Sequence, residues 1–280
     1  KAMLPDEQLG EANGVLQSVR EGFRIVAPVA GAGLFAAFGG HVVALVDAAT
    51  FVGSAATLVA LPFVEPPAAP REHHFLGELS AGLAVIARTR VLRELTIGVC
   101  AALAVIGFSE TLIFAIVTNG LHRSPAFIGV LETFQGVGAI AGGLTAAALM
   151  RRVGDVRVAG LGLAVFGAAC FGLLIPSLAG VLPSGVVIGV GIAWAIVALS
   201  TAYQRRSPQH VQGRVAAASN MLFSVPQTAS IAAGAALITL IDYRIEIVIM
   251  ALVTVIASAY LFTRRAEEIV ETEAMLADAA

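Results

Sequence analysis

A chain of 280 residues that is 58% hydrophobic and 13% charged, with a mean hydropathy of +0.89, lies outside the composition of soluble globular domains. Its net charge of −2 implies no nucleic-acid partner, and the placement of the charges matters more than their sum. The composition excludes a water-soluble enzyme or binding domain and puts the chain in a lipid bilayer.

A spanning helix needs about 20 mostly apolar residues. Eight such segments are predicted, at 13–38, 41–61, 95–121, 125–150, 156–176, 178–203, 211–240 and 244–263. Lys1–Gln8 is polar and the first span is too long and too rich in Gly and Ala for a signal peptide, so no cleavable leader is expected. Arg20, Glu21 and Arg24 open that span, with Glu21 and Arg24 at i, i+3. An anchoring pair that snorkels to the interface fits them better than substrate contact.

Asp47 stands less than two turns inside the second span. A linker follows at 63–94, beginning with prolines and carrying His73 and His74, which read as a solvated loop rather than metal ligands. From Phe75 to Leu95 the apolar positions Leu76, Leu79, Leu83, Ile86 and Val91 recur near helical period, with Arg88, Arg90 and Arg93 following. An amphipathic helix lying on the cytoplasmic leaflet is expected there.

Further on, Val158 to Gln204 holds no charged residue, which leaves room for two spans and a tight turn at Pro176–Pro183. The tail is 264–280. Fifteen of the seventeen Lys and Arg residues fall in five clusters: Lys1/Arg20/Arg24, Arg71/Arg88/Arg90/Arg93, Arg151/Arg152/Arg157, Arg205/Arg206/Arg214 and Arg264/Arg265. Paired apolar segments separate them, so each pair is a hairpin returning to the basic side. Basic loops stay inside, which makes both ends cytoplasmic in a multi-pass protein of the inner (plasma) membrane.

Comparing the chain with itself gives a weak repeat. Gly10 meets Gly213, and Ala30-Gly31-Ala32-x-Leu34 meets Ala233-Gly234-Ala235-x-Leu237, as parallel helical repeats require. Leu4-Pro5-Asp6-Glu7-Gln8-Leu9 with Ala12-Asn13 and Pro28-x-x-Gly31-x-Gly33 resembles the fifth helix of major facilitator superfamily transporters, in the drug and siderophore exporter branch of proton-antiporter type. Asp47-Ala48-Ala49-Thr50-Phe51 is similar to the start of their sixth helix. Gly142-Gly143 through Arg151-Arg152-x-Gly154 resembles the second copy of their cytoplasmic loop motif, with Leu149-Met150 where an acidic residue usually stands.

That resemblance implies an all-α membrane protein with a major facilitator-type helical bundle, of which eight of twelve transmembrane helices are here. Residues 1–62 would be the last two helices of the N-terminal bundle and 95–263 the whole C-terminal one, with four helices missing before Lys1. An eight-helix protein beginning at Lys1 is the alternative. The resemblance further implies alternating-access efflux of a small amphiphilic molecule, a drug or siderophore, against protons, with Arg151, Arg152 and Gly154 in the gating loop.

Ionisable groups deep in spans are costly and face a cavity or a partner. Glu110, about 15 residues or ~22 Å of helix from Leu95, is the first candidate for proton coupling, with Glu132 and Asp47 behind it. A packing role through interhelical hydrogen bonds is the alternative for each, weighing evenly for Glu110 and more heavily for Glu132 and Asp47. Gln135 lies at i+3 from Glu132. Asn220, Ser224, Gln227 and Thr228 form a polar stripe at i, i+4, i+7 and i+8, facing a substrate cavity or gluing helices together. Phe108, Phe114 and Phe134 offer aromatic lining or core packing.

Gly138-x-x-x-Gly142 and Gly185-x-x-x-Gly189 permit close helix approach. Cys100 and Cys170 lack metal or redox spacing and read as packing residues. The five His residues are scattered, and no metal or cofactor is expected. With no Walker motif, an ATP-driven pump domain within the chain is excluded, and a permease served by a separate ATPase is not. A membrane enzyme would need clustered His or Asp. A non-transporting fragment or scaffold is the remaining rival.

Overall fold

The computed structural model describes residue 5 and residues 8–60, 75–208 and 211–278. Among the described residues every regular element is helical. The chain divides into two compact units, one of Lys1–Gly22 with Phe75–Ala280 and one of Phe23–His74. The prolines that open the linker, and His73-His74, lie outside the described residues.

Helix α1 (Leu9–Phe38) gives its first part to the larger unit. The smaller unit holds the rest of α1 and α2 (Gly40–Ala60). Gly39 joins the two helices at φ +77°, a left-handed conformation that a side chain resists, and its N–H donates to the Phe35 carbonyl at 2.8 Å.

In the larger unit, α3 (Phe75–Arg88) leads into α4 (Arg90–Ile106), α5 (Ser109–Ala115) and a π-helical turn at Ile116–Gly120. After a 3-10 turn at Pro125–Phe127 come α6 (Ile128–Val153), α7 (Asp155–Cys170) and a 3-10 turn at Phe171–Leu174. The remaining helices are α8 (Leu178–Arg206), α9 (Gln212–Leu237) and α10 (Tyr243–Asp278). Packing runs α6 on α8, α8 on α7, α7 on α10, α10 on α4, and α4 on α9. Two buried clusters hold this arc together, one around Leu95, Val158, Val197 and Leu261 and one around Leu112, Val117, Phe166 and Met250.

Among the described residues six helical segments are long and apolar enough to cross a membrane: Gly40–Thr57, Arg90–Gly120, Pro125–Val153, Asp155–Leu174, Leu178–Arg206 and Tyr243–Thr263. The other two predicted spans form helices in the expected places, α1 and α9, but are more polar. Arg20, Glu21 and Arg24 dilute the first and the Asn220–Thr228 stripe the second.

The amphipathic helix expected in the linker is α3, and its apolar side is covered by protein rather than by a leaflet. Ile86 is buried with Leu92, Tyr203, Val215 and Ala218, and Leu79 and Leu83 pack on that cluster. Gly82 makes the approach possible, since a Cβ there would strike the Arg214 carbonyl of α9. Arg214 and Glu78 pair across the same contact at 3.4 Å. The apolar period was sound; it does not say what covers the stripe.

Small residues set the helix spacing elsewhere, as the lipid environment favours. Gly138 and Gly142 of α6 lie on Val186, Val190 and Ala193 of α8, and Gly189 of α8 lies on the Gln135 carbonyl of α6. In α9, Pro226 has no N–H for the Leu222 carbonyl four residues back. Cys100 of α4 supplies a donor instead, its thiol reaching that oxygen at 3.4 Å. Both cysteines are free thiols.

Candidate functional site

The predicted span 95–121 is not one continuous helix. It breaks at Gly107-Phe108, where Phe108 N–H donates to Val105 O at 3.1 Å and Glu110 N–H to Gly107 O at 3.3 Å in tightened turns. The break sits against α9: a Cβ on Gly107 would lie 2.7 Å from the Gln227 carbonyl and the Ile231 nitrogen. Gly234 of α9 likewise lies on Phe108 and Thr111. The break therefore lies against the helix that carries the polar stripe, with Glu110 in the first turn of α5 after it.

Glu110, expected to face a cavity or a partner, is exposed. Leu112, two residues or about 200° around the helix, is the position buried in the core, which turns Glu110 outward. Asn220, Ser224 and Thr228 are exposed and Gln227 half-buried, so most of the stripe is open rather than spent on helix contacts. Phe114 is exposed and Phe108 is buried core.

The α6 candidates stand apart from this group. Glu132 is exposed, Gln135 half-buried with its backbone against Gly189, and both belong to the helix packed on α8. Phe134 lines an open apolar groove of about 500 Å³ with Leu178, Ala179, Leu182, Pro183 and Val186. In the smaller unit Asp47 is exposed on α2. Arg151 and Arg152 are exposed in the last turn of α6, where cations complement the helix dipole, and Gly154 turns the chain into α7 at φ +84°.

Three features escaped the sequence reading. The first follows directly after Arg151-Arg152-x-Gly154: Asp155, at the start of α7, takes two bonds from Arg206 at the end of α8, at 2.6 and 3.1 Å. Its Oδ1 also accepts from the Val156 N–H at 2.9 Å. An acid at a helix start and a base at a helix end each suit the local dipole, so the pair ties α7 to α8 twice over.

The second is a polar junction between α1 and α8. Asn13 Nδ2 donates to Thr201 Oγ1 at 3.0 Å and to Gln204 Oε1 at 2.9 Å, and Gln204 Nε2 donates back to Asn13 Oδ1 at 3.3 Å. One turn along α1, Ser18 Oγ donates to Gly14 O at 2.9 Å and Ile140 O at 3.1 Å. Gly14 and Gly143 meet with no room for a Cβ on either. Asn13 belonged to a recognised motif, but its partners stand in an uncharged stretch nearly 190 residues away.

The third is Glu246 in the first turn of α10. It is 0% exposed, and neither carboxyl oxygen has a hydrogen-bond partner. Its only signal in the sequence is an acid at the third position of the predicted span 244–263. Among the described residues no three His, Cys, Asp or Glu side chains gather to hold a metal ion.

Residues 95–276 match the family model of the Major Facilitator Superfamily. No curated protein matches the chain. The fold is shared with the crystal structure of a bacterial homologue of the iron transporter ferroportin in its outward-facing state, at a TM-score of 0.73 and 16% identity. The match covers 95% of this chain and 66% of that one, so the chain spans just under two thirds of the homologue's length.

Proposed function

The chain belongs to the Major Facilitator Superfamily, and on that premise we propose that its protein is a proton-coupled exporter of a small amphiphilic molecule, in the drug and siderophore branch. It sits in the inner (plasma) membrane with the arginine clusters, and both ends of this chain, in the cytoplasm. The observation that carries the reading is the broken α4–α5 helix beside the exposed stripe of α9. Discontinuous helices are where many secondary transporters build their binding sites, and here the break seats the chain closely on the helix that carries the polar stripe.

Glu110 is the proton-coupling group in this scheme, exchanging its proton as access alternates. Asn220, Ser224, Gln227 and Thr228 contact the cargo beside Phe114, with Gln135 a further cargo contact on α6 and Glu132 and Asp47 as secondary carboxylates. The junction of Asn13 with Thr201 and Gln204 stands at the arginine-rich end of the helices and closes the cytoplasmic side. Opening the cytoplasmic side means breaking it. An organic cargo is favoured over the metal of the fold neighbour by what the candidates offer: aromatic, amide and hydroxyl surface rather than a gathered ligand set.

Ethidium, a small amphiphilic cation, is a suitable probe in everted vesicles carrying the protein from its native gene. Glu110→Gln is expected to abolish transport driven by a pH gradient while leaving the amount of folded protein unchanged. Gradient-driven transport at the native rate in that variant would rule out Glu110 as the coupling group.

A further inference from the structure

We propose that Glu246 is a proton-binding site, loaded when α10 is packed as it is here and discharged only when α10 parts from its neighbours. The carboxyl group is wholly buried and neither oxygen meets a donor. Its neighbours along the helix, Ile247 and Met250, sit in an apolar cluster with Leu112, Ile116, Val117, Phe166 and Cys170. A bare carboxylate in such a place is costly by far more than any single contact returns, so the group takes up a proton.

Among the described residues of the elements packed most closely against α10, no charged side chain is placed to offset that cost. On α7, Asp155 and Arg157 lie at the far end: Gly160 meets Ser258 and Gly167 meets Val255, so Glu246 falls beyond Cys170, whose thiol is the one titratable group near its level. On α4, Gly98 meets Leu261, which sets Cys100 about four turns, and Glu94, Arg93 and Arg90 about five to six turns, from the level of Glu246. On α5, Glu110 turns away from the core, and the 3-10 turn Phe171–Leu174 carries no titratable group. On α10 itself Arg244 is exposed about 200° around the helix, preceded by Asp242, and the Tyr243 hydroxyl lies beside Gly120.

The position also gives the proton a direction. Glu246 stands one turn from the exposed Asp242 end of α10, about 5 Å of helix, and some five turns from the Thr263 end. Exchange through the near end is the short path. In the topology proposed above that end faces outside the cell, so the site fills from the outer side; this sidedness rests on the proposed topology, while proton binding does not. A leucine would occupy the same space without two orphaned oxygens, which separates a proton-binding role from a packing one.

The test is infrared spectroscopy of the purified protein in lipid at neutral pH, comparing the native chain with Glu246→Gln, Glu246→Leu and Glu110→Gln. The expected result is a carbonyl band of a protonated carboxyl in the native protein and in Glu110→Gln, missing from both Glu246 variants. Glu246→Leu is expected to match or exceed the native melting temperature, so loss of the band there is not loss of fold. Spectra of native and Glu246→Leu protein that superimpose in the carboxylic-acid region would overturn the proposal, whatever the outcome of the ethidium assay.

Discussion

Replacing Asn13 with alanine removes the three side-chain hydrogen bonds described between α1 and α8 and leaves the backbone contact of the adjacent Gly14 with Gly143 of α6. Interhelical hydrogen bonds in membranes average about 0.6 kcal/mol each, so the junction contributes roughly 2 kcal/mol. If it closes the cytoplasmic side, that loss shifts the equilibrium toward the cytoplasm-open form by about twenty- to thirtyfold. Gln17, buried on α1 one turn from Asn13, reports the opening. With Gln17→Cys in place, labelling by a membrane-impermeant maleimide from the cytoplasmic side is expected to speed up by that factor, above the background of Cys100 and Cys170. Thr201→Ala added to Asn13→Ala should change little more, because the bonds are shared. A labelling rate within twofold of the parent would refute the assignment of this junction as the cytoplasmic seal.

Packing makes two sharper contrasts. Gly189→Val places a Cβ inside the Gln135 carbonyl and is expected to abolish the α6–α8 contact and the yield of folded protein, whereas Gly129→Ala, with open space around it, should gain about 0.5–1 kcal/mol in detergent thermal unfolding. Asp155 is 5% and Arg206 28% exposed, so breaking their pair costs less than the 3–5 kcal/mol of a fully buried one. Asp155→Ala is expected to lose about 2 kcal/mol, and Asp155→Asn, which keeps an acceptor for Val156 N–H, about half of that, read as melting temperatures.

The helices were legible because their signal is compositional: runs of about 20 apolar residues need no partner to be recognised. The resemblance carried by Ala12-Asn13 and Pro28–Gly33, by Asp47–Phe51 and by the loop motif at Gly142–Gly154 led to the same superfamily that the match over 95–276 shows. What the sequence hid was what each face meets. The α3 stripe was read as lipid-facing because periodicity reports a sidedness and not its cover, and depth along a helix says nothing of the rotation around it that leaves Glu110 exposed. Asn13, Thr201 and Gln204 are unremarkable apart and become a site only when the fold brings them together. Glu246 was hidden by position, since an acid near the end of a span looks like an interface residue until burial is seen.

Proton coupling is the claim on which the functional account stands, and ethidium uptake into everted vesicles tests it most directly. Vesicles carrying the protein from its native gene, energised with an imposed inward-acid gradient and no nucleotide, are expected to take up ethidium. A protonophore should bring that uptake to the level of vesicles lacking the protein. Uptake that survives the protonophore, or that appears only with ATP, would contradict the account and favour a permease driven by a separate ATPase.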